Sequence, residues 1–190
     1  MRRQKDQPDM NTETGTSYLV ITASGVDRTG IVDQLAGRIA DCGCNIEESR
    51  MTMLENHFAL LMLVSGPWHA LAKLEGQMIP LGEQLGLTIL HERARKHERA
   101  EPVIPYTVEI VAMDQPGIVR SLSAFFSRKS INIEELQSSS YPAPHSGTPL
   151  FSVVMTVGIQ ARVHIPTLRN EFLDYCDDLN LDATFEPVRR

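Results

Sequence analysis

Two short stretches could hold a charged ligand. Asp27-Arg28-Thr29-Gly30-Ile31-Val32 returns as Asp114-Gln115-Pro116-Gly117-Ile118-Val119. Each places a carboxylate three positions before a glycine, and the Ile-Val pair after the glycine opens a helical pattern. A loop entering a helix presents backbone N–H groups without intrahelical acceptors, a weakly positive site for a carboxylate or phosphate. Glycine lets a ligand approach the backbone closely. Asp27 and Asp114 then have two readings. As helix caps they accept orphan N–H groups; as ligand contacts they grip an ammonium group while the N–H groups take an α-carboxylate. Asn45 and Asn132 are open in the same way, as ligand contacts or as turn residues closing the preceding helix. Thr29 and Pro116 are counterparts, and the proline suits a first helical turn, where no N–H is needed.

Other chemistries find no support in the spacing. Neither G-x-G-x-x-G nor G-x-x-x-x-G-K-[ST] occurs, so nucleotide phosphate loops are absent. His57, His69, His91, His97, His145 and His164 show no ligand spacing, and no Ser-His-Asp or Cys-His arrangement can be drawn. Glu47-Glu48 and Glu134-Glu135 open strands, where neighbours point to opposite faces, so they read as solvated edges rather than acid/base pairs. Cys42 and Cys44 form C-x-C at a helix end, and Cys176 sits within a helical pattern. These read as reduced thiols, with Cys176 as core packing. No catalytic residue, metal or cofactor is expected.

Net charge is −6 with scattered Lys and Arg, a poor basis for direct DNA binding. The longest apolar run, Phe58 to Val64, falls far short of the roughly 20 residues that cross a bilayer. The N-terminus is polar and lacks an apolar signal core. The expectation is a cytoplasmic protein without membrane contact.

The elements that position the loops are also written twice. Displaced by 87 positions, Asp27–Glu48 and Asp114–Glu135 agree at nine of 22 residues. Phe58 onward matches Phe151 onward at a displacement of 93, so the second copy carries about six extra residues, placed within Tyr141 to Pro149. In each copy a β-rich run (from Tyr18 or Tyr106) precedes the loop. Ile31, Leu35 and Ile39, or Ile118, Leu122 and Phe126, then form a helical stripe. Strands from Asn45 and Phe58, or Asn132 and Phe151, follow. A second helix (Leu71, Leu74, Met78; or Ile165, Leu168, Phe172, Tyr175, Leu179) and a short strand close the unit. Pro80 is expected to end or bend its helix, and Pro166 to stand at a helix start. The pattern predicts an α+β protein of two ferredoxin-like βαββαβ domains, each a four-stranded antiparallel sheet with two helices on one face. The expected divisions are a polar tail at 1–16, domain one at 17–92, a charged linker at 93–104 and domain two at 105–190. In the first copy Ala59, Leu61 and Leu63 make the face away from the helices apolar, which calls for cover by domain two or a second chain.

Asp-x-x-Gly-Ile-Val after the first strand and Asn-Ile at the second, in tandem βαββαβ units, resemble the ACT domain. G-V-D-R-T-G-I-V, C-G-C-N-I-E-E-S-R and L-M-L-V-S-G-P-W resemble the glycine cleavage system transcriptional repressor family, built of two ACT domains. The resemblance implies a non-enzymatic regulator that binds a small amino acid, glycine or serine, near a domain–domain interface. Its site would comprise Asp27, Arg28, Thr29, Gly30 and Ile31, with Asp114, Gln115, Pro116, Gly117 and Ile118. It further implies action through a DNA-binding transcription-factor partner and a homo-oligomeric state. The alternatives are a regulatory part related to formyltetrahydrofolate deformylase, and an interaction scaffold without ligand.

Overall fold

The computed structural model describes residues 16–94, 102–144 and 146–188. The polar tail expected at 1–16 lies outside them except for Thr16, as does most of the expected linker. The chain divides into two compact units, Met1–Glu98 and Arg99–Arg190.

The first unit contains β1 (Ser17–Val26), α1 (Ile31–Asp41), β2 (Asn45–Leu54), β3 (His57–Gly66), α2 (Trp68–Leu85) and β4 (Leu87–Ala94). The second repeats the order as β5 (Val103–Met113), α3 (Ile118–Arg128), β6 (Asn132–Pro142), β7 (Pro149–Gln160), α4 (Ile165–Asp178) and β8 (Asp182–Pro187). Because β4 reaches Ala94 and β5 begins at Val103, both ends of the expected linker are strand. The sheets are ordered β2-β3-β1-β4 and β6-β7-β5-β8, with antiparallel pairs throughout. This is the ferredoxin-like arrangement, twice.

Each unit has its own core, built from alternate strand residues and the helical stripes. Leu19 and Ile21 of β1 meet Ile31, Leu35 and Ile39 of α1 and Leu71, Leu74 and Met78 of α2. The second core is aromatic: Phe172 lies 5.2 Å from both Phe125 and Phe126, and 5.7 Å from Phe185, between ring centroids. Cys176 is fully buried there, and burial, with Asp177 adding, pushes its thiol up to about 12. α4 starts at the His164 cap with Pro166 in its first turn. α2 instead runs through Pro80 and stops at Gly86, in the left-handed conformation at φ 65°. Proline there removes the N–H that would reach the Gly76 carbonyl and crowds that carbonyl with its ring, yet the helix continues past it.

Gly82 shows where close packing excludes a side chain. A Cβ on it would lie 2.7 Å from the Leu87 carbonyl oxygen, whereas one on Gly37 of α1 meets nothing within 4 Å. Gly82→Ala should destabilise the first unit by about 1–3 kcal/mol. Gly37→Ala should stabilise it by up to about 1 kcal/mol through helix propensity. Urea titrations that rank the two variants the other way would contradict this packing.

Near the start of α2, Arg93 forks onto Glu75 (Nε–Oε1 2.5 Å, Nη2–Oε2 2.8 Å) and lies over the Trp68 ring. The hydrogen bonds from Arg93 hold the Glu75 carboxyl below the ordinary carboxylate range, against a smaller opposing effect of burial. With the folded value depressed, the stabilisation is present above the unfolded glutamate value, about 4.3, and is lost as pH falls through the folded one. The loss of first-unit stability below that pH should be smaller in Glu75→Gln, read by Trp68 fluorescence. Identical acid profiles would contradict the pairing.

The open faces of the two sheets differ. On the first, Leu61 is 47% exposed, with Val20, Ala59 and Leu63 part-buried or better beside it. On the second, Val154 lies between Glu109 and Gln137, and Thr107 and Thr156 lie between Glu186 and Glu135. Where the first face has Val20, Leu61 and Leu63, the second has Thr107, Val154 and Thr156, so the first is the more apolar.

Candidate functional site

The structure decides against the capping reading of the aspartates. α1 and α3 are capped by Gly30 (φ 93°, ψ 0°) and Gly117 (φ 100°, ψ −5°), neither with a side-chain cap bond. The helices begin one residue later, and their first bonds run from Gln34 N–H to the Gly30 carbonyl (3.1 Å) and from Ser121 N–H to that of Gly117 (2.9 Å). The N–H groups of Ile31, Val32 and Asp33, and of Ile118, Val119 and Arg120, are therefore without intrahelical acceptors. Thr29 and Pro116 stand in the turn ahead of the cap, not in the first helical turn, because the left-handed glycine delays the helix.

Asp27 and Asp114 sit where the first strand of each unit ends against a hairpin. Asp27 N–H donates to the Asn56 carbonyl (2.9 Å), and Asp114 N–H to that of Pro149 (3.0 Å). Beyond this the loops diverge. Ser140 Oγ donates to Asp114 Oδ2 at 2.6 Å. Its counterpart is Met53, since Met53 pairs with Phe58 as Ser140 pairs with Phe151. Among the described residues the Asp27 carboxylate has no hydrogen-bond or ion-pair partner. The Arg28 guanidinium donates to the Gln84 carbonyl at the end of α2 (3.2 Å).

The second loop borders a cavity of about 660 Å³, lined by residues 114–120 and Phe151. Its size falls within the roughly 300–1,000 Å³ of small-molecule sites. Gln115, Pro116, Gly117 and Ile118 all contribute to it. In the first unit a cavity of about 490 Å³ lies at the end of β1, but between Val26, His57 and the junction of α2 with β4. None of Asp27, Arg28, Thr29, Gly30 or Ile31 lines it.

Asn45 and Asn132 lie elsewhere. Asn45 pairs with Ser65, which pairs with Tyr18 at the start of β1, whereas the loop follows Val26 at its end. Eight strand residues separate the two ends, about 26 Å. Asn132 is displaced in the same way along β6 and β5. Neither asparagine can touch, within its unit, a small ligand held at the loop. Nor do they close the helices: α1 ends at Asp41 with a Cys42 cap, and Asn45 is already strand.

A bulge after these asparagines breaks the strand alternation. The register shifts between Ile46 and Glu48, and between Ile133 and Glu135, leaving Glu47 and Glu134 as extra residues. Glu47 accepts from the buried Ser65 hydroxyl (2.5 Å) and from Asn45 Nδ2 (3.2 Å). Glu48 lies opposite Leu63 on that same open face, so the first glutamate pair does not split between faces as alternation predicted. At the Ser65 position the second unit has Gly158, where a Cβ would come within 2.5 Å of Glu134 Oε1. The sequence signal was the repeated Asn-Ile-Glu-Glu, which periodicity alone reads as regular strand.

Among the described residues no group of three or more His, Cys, Asp or Glu side chains converges as a metal site, and no helix is long and apolar enough to cross a membrane. The sequence profile of the ACT domain family matches residues 17–91. The glycine cleavage system transcriptional repressor of Escherichia coli (strain K12) is 32% identical over 171 residues, 90% of each chain. A crystal structure of a protein assigned as a glycine cleavage system transcriptional repressor superposes with TM-score 0.71 at 26% identity, covering 92% of this chain and 99% of that one. A protein of unknown function from Galdieria sulphuraria superposes with TM-score 0.75 at 26% identity, covering 92% and 100%. With two ACT folds and that identity along nearly its whole length, the chain belongs to the glycine cleavage system transcriptional repressor family of tandem ACT-domain proteins.

Proposed function

We propose that this chain is a non-enzymatic regulator that senses a small amino acid, glycine or serine, and acts on transcription through a DNA-binding protein partner. The observation that carries the reading is the cavity at the second loop, bordered by Asp114 and by the first residues of α3, whose N–H groups lack intrahelical acceptors. Such a site holds an amino acid by both its charged ends. The acidic balance of the chain favours a protein intermediary over direct contact with DNA phosphates. Ligand binding changes regulation only through different affinities for two packing states. The site residues are those of the loops. Asn45 and Asn132 lie too far from the loops of their own units to join a ligand held by that loop alone.

The apolar open face of the first sheet is the surface we assign to self-association. Sedimentation should show an oligomer that Leu61→Glu dissociates, while a monomeric wild-type protein would remove that assignment. For ligand binding, titration calorimetry with glycine, serine and larger amino acids should give saturable heat with a small one. No heat and no thermal shift with any of them at millimolar concentration would remove the sensor reading. Affinity capture should retain a DNA-binding protein, and its release or recruitment should depend on the ligand.

A further inference from the structure

The duplicated loops are not equivalent, and the difference is one of charge. In the second unit the third helical residue is Arg120, which lines the cavity together with Asp114. Among the described residues these two are not ion-paired with each other or with any other group, so the cavity is bordered by one unpaired charge of each sign. Ser140 holds Asp114 through Oδ2 and leaves Oδ1 open. The hairpin carrying Ser140 and Pro149 is the one extended by the insertion, and Phe151 supplies an apolar surface. In the first unit the residue matching Arg120 is Asp33, and the residue matching Ser140 is Met53. The loop's own cation, Arg28, is bonded to the neutral Gln84 carbonyl and keeps its charge. That loop therefore carries two carboxylates against one tethered cation, whereas the second carries one charge of each sign.

A free α-amino acid at neutral pH carries one charge of each sign, and binding it needs both complements at close range. We infer that only the second loop takes the amino acid, with Arg120 on its carboxylate and Asp114 on its ammonium group. Arg120 is then the residue that separates amino acids from simple amines, since a guanidinium meets a carboxylate with a directed, charge-assisted pair. The first loop repels a carboxylate through Asp33. This assignment rests on the proposed sensing function and adds which copy binds and by which residue.

Calorimetry on the full chain, with glycine and with glycinamide, which lacks the carboxylate, tests it. Wild-type protein should bind one glycine per chain and prefer glycine to glycinamide by tenfold or more. Arg120→Gln should weaken glycine at least tenfold and bring the two ligands close together, and Arg120→Lys should recover part of the preference. Arg120 is exposed, so circular dichroism should show these variants folded. Asp33→Asn should leave glycine binding unchanged. Two equivalent sites per chain, an unchanged preference in Arg120→Gln, or loss of binding in Asp33→Asn would overturn the assignment while leaving the sensor intact. Absence of heat with every amino acid would overturn the sensor itself, and this assignment with it.

Discussion

Replacing Asp114 by alanine should weaken binding of the amino acid by about 10- to 150-fold, the worth of one hydrogen bond to a charged group. The fold should survive it. Asp114 caps no helix, and its side chain holds only the Ser140 hydroxyl. That bond is solvent-exposed, which screens the carboxylate charge, so the stability cost is about 0.5–1.5 kcal/mol. Ser140→Ala should cost a similar amount, and the double variant should cost no more than either alone, because both remove one interaction. Asp27→Ala provides the contrast. Its carboxylate has no partner among the described residues, so melting should be unchanged, whereas a true cap would cost about 0.5–2 kcal/mol. A lowered melting temperature for Asp27→Ala would restore the capping role that the Gly30 geometry denies.

Phe172→Ala should unfold the second unit's core and spare the first. Phe172 is fully buried and contacts three other rings, so its removal leaves a large cavity. Such truncations cost about 3–5 kcal/mol, which for a unit of this size lowers the melting temperature by more than about 10 °C. The one tryptophan, Trp68, lies in the first unit and reports it alone. Far-ultraviolet dichroism should show an early transition that Trp68 fluorescence does not follow. Coincident early transitions in both signals would mean that the units do not melt separately.

The fold was legible because both of its periodicities were written twice. Ile31, Leu35 and Ile39 recur as Ile118, Leu122 and Phe126, and all six are buried where the helical stripe required. What periodicity could not carry was any departure from regular geometry. The helices begin at Ile31 and Ile118 as their stripes predict, but Pro116 stands ahead of the first turn, because a left-handed glycine cap is a matter of φ, which Gly117 permits but does not announce. The bulges at Glu47 and Glu134 escaped for a similar reason: an extra residue shows only against the partner strand's register. For the candidate loop residues, placement in one unit was legible but their shared space was not. Asp114, Gln115, Pro116, Gly117 and Ile118 do line one cavity, but Asn132 stands at the far end of its sheet, a separation that depends on strand order rather than on sequence spacing. Arg120 lies outside the positions the two copies share, so the repeat does not mark it. Its signal was a difference, Asp33 against Arg120, three residues beyond each glycine.

In the proposed function an amino acid sits at the second loop, against the backbone after Gly117. Amide-resolved magnetic resonance during a glycine titration tests it directly. The N–H signals of Gly117, Ile118 and Val119 should move and saturate together, while those of Gly30 and Ile31 stay in place. Glycine at millimolar concentration that leaves the Gly117 to Val119 signals unmoved would contradict the account.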